Sequence, residues 1–240
     1  MNINLLQYNC RKSTAVWDDL RKRGELADFD IIATQEPPVD RTKQVLSITG
    51  SITIQPSGQQ RPLVGIHISE ELDAVKIDVG REWCIVAHIS GRGRKFVLIN
   101  AYLAPSEDIE PKLADLGEVL GRCRPADVVL CMDANARSDA WHSRIRNARG
   151  RALEAFLDTH SMTIINVDTG DMTTFAGESG CSGNIDITAA SGLIFPKIAN
   201  WRLEDWYVSD HKAILFEIIA KYTRTTRTQP GNRIKKLDEG

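Results

Sequence analysis

The chain has 240 residues, 42% apolar and 26% charged, with a formal net charge of −2, which fits one globular domain with a sizeable core and excludes a disordered or fibrous chain. No apolar run approaches the ~18 residues of a membrane span, and Met1–Asn9 lacks the segments of a signal peptide, so an intracellular protein is expected. From Lys221 onward there are six Lys/Arg and two Asp/Glu, leaving 24 basic and 30 acidic groups before it, a body too acidic to bind nucleic acid by bulk charge.

In chain order, INLLQYN reads as a strand, and Thr14–Ala27 as a helix with Val16, Leu20 and Leu26 near one face. FDIIATQE is a short apolar strand ending on a carboxylate. From Val45 to Leu103, β-rich runs alternate with turn residues, and WCIVAHI-SGRGRK-FVLINAYL predicts a hairpin. A second helix fits Ser106–Cys123, capped at Ser106 with Glu107–Asp108, and DVVLCMDAN follows as a buried strand. A third helix fits Gly150–His160, followed by short strands at TIINV, MTTF, NIDITAA and AILFEII. Helix, apolar strand and acid recur in both halves. This order predicts an α/β fold, a four-layer α/β sandwich of two mostly antiparallel sheets packed face to face with helices outside. Residues 1–221 form the expected domain, and 222–240 read as a basic, disordered tail or linker.

The five cysteines, at 10, 84, 123, 131 and 181, include no Cys-x-x-Cys and read as small buried thiols. The five histidines show no His-x-x-x-His spacing, so a bound metal is expected to be a hard, oxygen-held cation such as magnesium. What interrupts the apolar strands is informative. Asn9, Glu36, Tyr102, and Asp133 with Asn135 end strands; Asp186 lies inside NIDITAA; Asp210 and His211 precede AILFEII. Singly, each has a plain structural explanation as an Asx turn, a cap or a surface bend. Together they can converge on one edge of a two-sheet sandwich, where a cation would account for buried carboxylates.

The ordered set QYN, QEP, NAYLAP, MDANARS, NIDIT and SDH resembles the exonuclease–endonuclease–phosphatase superfamily over roughly residues 2–220. DANARSDAWHS, then TTF, a Gly/Ser turn, NIDIT, WRL and SDH are similar to the apurinic-endonuclease-like endonuclease domain of site-specific non-LTR (LINE-type) retrotransposons. The resemblance implies a magnesium-dependent DNA endonuclease, with manganese as a substitute, that leaves a 3′ hydroxyl and a 5′ phosphate. It implies a double-stranded DNA target in the nucleus, no membrane, and a reverse transcriptase domain downstream in the same polypeptide, whose target-primed synthesis starts from that hydroxyl. Glu36 would be the main metal ligand, with Asn9 beside it and Asp210 adding a carboxylate. Asp133 would orient or deprotonate the attacking water, Asn135 would position phosphate or water, and Tyr102 would donate to the phosphate. His211 would contact a non-bridging oxygen, with Asp186 fixing its tautomer and keeping it cationic.

For target binding, the candidates are the hairpin tip Ala176–Gly183 with Thr174, Ser179 and Ser182, and the stretch Arg137, Ser138, Arg144, Arg146, Arg149 and Arg151. A solvated loop and a flexible turn are the plainer alternatives, and Gly and Ser offer little base-reading chemistry. Ala104-Pro105-Ser106 stands where apurinic endonucleases carry an asparagine, and Ile187-Thr188 where many relatives carry an aromatic, so strong apurinic-site activity is not expected. A phosphoesterase of the same fold acting on small or lipid phosphates, and a catalytically inactive DNA-binding module, remain as alternatives.

Overall fold

Apolar strands without polar alternation need cover on both faces. The computed structural model describes residues 1–22, 29–58, 60–177 and 180–221, and supplies that cover. Strand β1 (Ile3–Asn9) pairs in parallel with β2 (Ile31–Gln35), the two joined through helix α1 (Thr14–Lys22). Ser13 Oγ accepts from Val16 N at the start of α1, and Arg21 and Lys22 sit in its last turn, where cations suit the helix dipole. Strands β3 (Ser51–Ile54) and β4 (Val64–Ser69) extend this sheet on one side, and β13 (Ile198–Glu204) and β14 (Ala213–Ile218) on the other, in the order β13-β14-β1-β2-β4-β3.

The second sheet is built from β5 (Asp73–Ile77), β6 (Cys84–Gly91), β7 (Arg94–Tyr102), β8 (Val128–Asp133), β9 (Met162–Ile164) and β12 (Asp186–Ser191), in the order β5-β6-β7-β8-β12-β9. Its parallel pair, β7 and β8, is joined by helix α2 (Ile109–Cys123). The echo between the halves is therefore a strand–helix–strand unit in each sheet. The hairpin expected around SGRGRK is β6–β7, turning at Arg92-Gly93. A two-stranded ribbon, β10 (Phe175–Ala176) and β11 (Ser182–Gly183), stands apart from both sheets.

Side chains alternate between layers. Leu5, Ala33, Ile66, Leu98, Val129 and Phe216 fill the space between the sheets. Leu6, Ile32 and Leu215 turn outward against Val16, Trp17 and Leu20 of α1. Val97, Ile99 and Leu130 turn outward against Leu116 of α2 and against Leu153 and Leu157 of helix α3 (Ala148–Thr159). Each fully buried Val, Leu, Ile or Phe among them contributes roughly 1.5–3 kcal/mol of transfer free energy. The layers are helix, sheet, sheet, helix, as expected.

Some boundaries differ. Helix α2 begins at Ile109, and its cap is Asp108, whose carboxylate accepts from Glu110 N. Residues 104–107 form a separate turn, closed by Glu107 N on Ala104 O, so Ser106 cannot cap the helix. Helix α3 starts two residues before the expected position because Asn147 Oδ1 accepts from Gly150 N and caps it. Of the run MTTF only Phe175 is in a strand. Residues 23–27 of the expected first helix and the tail 222–240 lie outside the described residues. Cys10, Cys84, Cys123 and Cys131 are buried free thiols; Cys181 is exposed, on the loop between β10 and β11. Among the described residues, no helix is long and apolar enough to cross a membrane.

Candidate active site

Period-2 alternation explains how polar side chains reach the space between the sheets. Beneath Asn9 on β1 lies Gln7, which donates to Met132 O at 3.3 Å and accepts from Thr188 Oγ1 at 3.1 Å across the sheets. Beneath Tyr102 on β7 lies Asn100, which donates to Thr34 O and Gly65 O and accepts from Gln35 Nε2 at 2.6 Å. Thr188 is in turn two residues from Asp186. A buried layer of cross-sheet hydrogen bonds thus supports the layer of strand-end residues above it. That upper layer opens into a cleft of about 330 Å³ lined by Asn9, Glu36, Tyr102, Asp133, Asn135, Asp210 and His211. A larger cavity, of about 1000 Å³, lies by Met1 and Asn2; its acids Asp30 and Glu71 are already paired with Arg92.

His211 is the centre of the cleft's charge. Its Nδ1 lies 3.1 and 2.9 Å from the two oxygens of Asp186, and its Nε2 lies 3.9 Å from Asp133 Oδ2. Phe175 covers the ring at 5.0 Å between centroids. Burial opposes the imidazolium, but Asp186, by charge and hydrogen bond, and then Asp133 and Asp210 outweigh it and raise the pKa to about 9. Burial first, and the like charge of Asp186 second, push Asp133 up to about 7, against His211, Asn9 and the Asn135 amide. At neutral pH the arrangement holds a cationic imidazole beside a carboxylate poised to take a proton.

The neighbouring amides fix these groups. Asn9 Nδ2 donates to Asp133 Oδ2 at 2.8 Å, while its Oδ1 accepts from Arg11 N at 2.8 Å. Only a second lone pair on that oxygen is left for a metal, so its visible work is to brace Asp133. Asn135 takes a left-handed backbone (φ 48°), its N–H bonding Asp133 Oδ1 at 3.2 Å and its side chain reaching Leu103 O at 3.3 Å. Tyr102 hydrogen-bonds Glu36; burial and the nearby acids raise its pKa, so the phenol stays a proton donor.

Glu36 follows Gln35, whose side chain points between the sheets, and a continued strand would turn Glu36 away. Its positive φ of 45° breaks the strand, and its side chain lines the cleft. Two basic residues beyond the expected set also line it. Lys12 Nζ lies 2.6 Å from Glu36 Oε1, and Arg11 Nε lies 3.3 Å from Asp210 Oδ1. The second contact is an ion pair without hydrogen-bond geometry, and Asp210 Oδ1 is buried with no donor among the described residues. Their signal in the sequence is a basic pair one residue beyond a strand-end asparagine, after Cys10.

Among the described residues one group of ligand atoms is close enough to hold a cation, and two further carboxylates line the same cleft. Asp133, Asp186 and His211 offer ligand atoms within 4.8 Å of one another. In that set, however, Nδ1 is engaged by both Asp186 oxygens and both Asp133 oxygens accept hydrogen bonds. Glu36 and Asp210 offer oxygen alone, one with an acceptor that has no donor, the chemistry that suits magnesium.

The nominated DNA contacts divide. Ser138 is fully buried; its hydroxyl donates to Glu154 at 2.9 Å and accepts from Ala140 N at 3.2 Å, capping a short turn, so it has no surface to offer DNA. Thr174 is fully buried as well; its Oγ1 accepts from Ile185 N and Asp186 N, which makes it a brace for the Asp186 strand. Arg149 is spent on the carbonyls of Leu103, Glu107, Ala134 and Asn135. Arg137 donates to Ser182 O and Cys181 Sγ, clasping the ribbon. Arg144 and Arg146 are exposed and paired with Asp171 and Glu154; Arg151 and Ser182 are exposed. Ser179 lies outside the described residues.

This fold and this cleft define an α/β sandwich of the phosphoesterase type, and the comparisons with known proteins agree. The family model described as "Endonuclease-reverse transcriptase" matches residues 96–215, half of the chain, and the chain belongs to that family. It is 27% identical over 158 residues to the "Retrovirus-related Pol polyprotein from type-1 retrotransposable element R1" of Bradysia coprophila, covering 62% of this chain and 16% of that one. It is 24% identical over 223 residues to the "Putative 115 kDa protein in type-1 retrotransposable element R1DM" of Drosophila melanogaster, covering 88% and 21%. The chain thus spans about a fifth or less of the length of these curated relatives. Among solved structures, the endonuclease domain of TRAS1, a telomere-specific non-LTR retrotransposon, superposes with a TM-score of 0.82 at 24% identity, covering 92% of this chain and 99% of that one. An AP endonuclease from Leishmania major gives 0.73 at 12% identity, covering 92% and 88%. At these identities the superpositions establish the fold.

Proposed function

We propose that the chain is the endonuclease domain of a non-LTR retrotransposon, a divalent-metal-dependent enzyme that nicks double-stranded DNA in the nucleus. The observation that carries this reading is the pairing of His211 with Asp186 across one cleft from Asp133 and the oxygen-only set Glu36 and Asp210. Magnesium, or manganese in its place, would be held by Glu36 and Asp210 and would supply positive charge to a non-bridging phosphate oxygen and the leaving oxygen. Asp133, its pKa raised to about 7 by burial first and by Asp186, accepts the proton of the attacking water. His211 donates through Nε2 to a phosphate oxygen, where charge grows in the transition state. Tyr102 donates to the same phosphate, and Asn135 positions phosphate or water. In-line attack with the 3′ oxygen leaving gives a 5′ phosphate and a 3′ hydroxyl, and that hydroxyl primes synthesis by a reverse transcriptase domain downstream in the polypeptide.

The test is nicking of supercoiled plasmid with magnesium, with EDTA, and by His211→Ala. The expected result is nicking by the wild type only with metal, with loss of activity in the variant, and nicks extendable by a polymerase without prior end repair. Metal-independent nicking, or full activity in His211→Ala, would falsify the reading. Hydrolysis of small phosphate esters with no plasmid nicking would favour a phosphoesterase instead.

A further inference from the structure

Residues Cys10–Ser13 link β1 to α1 through two consecutive left-handed residues, Arg11 (φ 52°) and Lys12 (φ 58°). Two such residues in a row are costly, at roughly 1–2 kcal/mol each. The turn is held by Cys10 N on Gln35 O at 2.8 Å, Lys12 N on Glu36 O at 2.7 Å and Ser13 N on Cys10 O at 2.8 Å. It is therefore tied to the backbone of Glu36 itself, and it delivers an ammonium to that residue's carboxylate at 2.6 Å. The Lys12 side chain remains 44% exposed against 15% for Glu36, so one end of the pair is free to leave.

We propose that Lys12 is a displaceable phosphate-binding cation: it holds Glu36 while the site is empty, yields it to the divalent metal, and then binds a phosphate of the DNA in the same cleft. This rests on the reading of Glu36 as a metal ligand. Formal charge supports the exchange. The cleft gathers four carboxylates (Glu36, Asp133, Asp186, Asp210) and three cations (Arg11, Lys12, His211), a net of −1. A dication brings it to +1, and one phosphodiester brings it to zero. Without Lys12 the empty cleft stands at −2 and the loaded one at zero, which favours the metal and disfavours the phosphate. A lysine suits this exchange better than an arginine, being a compact point charge on a flexible stem.

The two consequences have opposite signs, and a misfolded variant cannot produce both. Lys12→Met keeps the length of the stem and removes the charge. By electron paramagnetic resonance of free Mn²⁺, the full chain carrying Lys12→Met should bind Mn²⁺ about two- to fivefold more tightly than wild type, the scale of one exposed ion pair. In duplex nicking its KM should rise, and the slope of log(kcat/KM) against log[salt] should become shallower by about 0.9, the loss of one phosphate contact. Lys12→Arg should restore the slope. Unchanged or weaker Mn²⁺ binding, or an unchanged slope, overturns the proposal. Glu36→Gln, measured in parallel, separates the two readings. If it abolishes Mn²⁺ binding while Lys12→Met leaves that binding untouched, only the role of Lys12 fails. If Glu36→Gln binds Mn²⁺ normally, the ligand reading fails and this one with it.

Discussion

His211 Nδ1 faces both oxygens of Asp186, at 3.1 and 2.9 Å, so one carboxylate fixes the tautomer, the ring orientation and the charge of the imidazole. Asp186→Asn removes the charge that works against burial to raise the His211 pKa to about 9. In the wild type, the alkaline limb of the rate should fall near pH 9. In the variant it should move to the ordinary histidine range or below, and kcat should drop by about 10²–10³-fold. A raised pKa contributes stability that is fully present below the unfolded value near 6.5 and is lost as pH rises through the folded value. Thermal melts between pH 6.5 and 9 should therefore decline in the wild type and flatten in Asp186→Asn. A pH–rate profile that does not move removes Asp186 from the charge balance of His211.

Asp133 has a stability signature of the same sign, over a lower pH window. Burial and Asp186 raise its pKa to about 7, so the folded protein holds a proton that the unfolded chain gives up near pH 4. Its contribution to stability is present at low pH and lost as pH rises through 7. Asp133→Asn keeps an acceptor for Asn9 and for the Asn135 amide and removes the buried charge. At pH 8 it should raise stability by about 1–3 kcal/mol while lowering kcat at least 10³-fold. In the wild type, kcat/KM should rise through pH 7 and fall through pH 9, limits that belong to the linked groups together. Calorimetry and steady-state nicking check the two halves independently, and a loss of stability in Asp133→Asn contradicts the charge argument.

The sequence made the two sheets legible because runs such as VVLCMD and FVLIN are apolar at successive positions, which only strands covered on both faces require. It exposed Asp133 and Asp186 for the same reason, as charges inside stretches that must be buried. It could not show how Glu36 is turned, because that depends on one left-handed residue held by Leu63 O and Lys12 N. Ser138 and Thr174 are expected DNA contacts in the sequence, yet both hydroxyls are consumed by the local backbone and by Glu154, a consequence of tertiary burial that residue type does not carry. Lys12 and Arg11 are not legible as cleft residues in the sequence, because a basic pair in a turn is ordinary until the turn closes on two acids.

Asn100 tests whether the buried polar layer sets the geometry of the cleft. Its amide donates to Thr34 O and Gly65 O and accepts from Gln35 Nε2. Gln35 Oε1 has no donor among the described residues, so Asn100 is the partner that holds this side chain. Asn100→Leu leaves the Gln35 amide without its acceptor and should cost about 2–4 kcal/mol in chemical denaturation. Tyr102 is two residues further along the same strand and face, so kcat should also fall, by about tenfold, with little change in KM. A stability loss without a kcat effect makes the layer a matter of packing alone.

Arg137 clasps the β10–β11 ribbon by bonding Ser182 O and Cys181 Sγ, while the ribbon's other strand bonds the loop that carries Asp210 and His211 through Ala176 N on Asp210 O at 2.7 Å. The ribbon is thus fixed to both sides of the cleft, and in the proposed endonuclease Arg137 would act on target choice through the ribbon's position. Arg137→Ala should spread nick positions on a sequenced target and leave hydrolysis of bis(p-nitrophenyl) phosphate within about twofold of wild type, since loops of this kind set specificity while the strands carry the chemistry. Two glycines around Arg137 separate the clasp from the fold. A Cβ at Gly183 would overlap the Arg137 guanidinium, a flexible group that can move, so Gly183→Ala should reproduce the altered nick pattern with little loss of stability. A Cβ at Gly150 would overlap the Arg137 carbonyl oxygen, which is backbone, so Gly150→Ala should destabilise the whole domain by about 1–3 kcal/mol. Nick positions that stay sharp in both Arg137→Ala and Gly183→Ala would remove the ribbon from target choice.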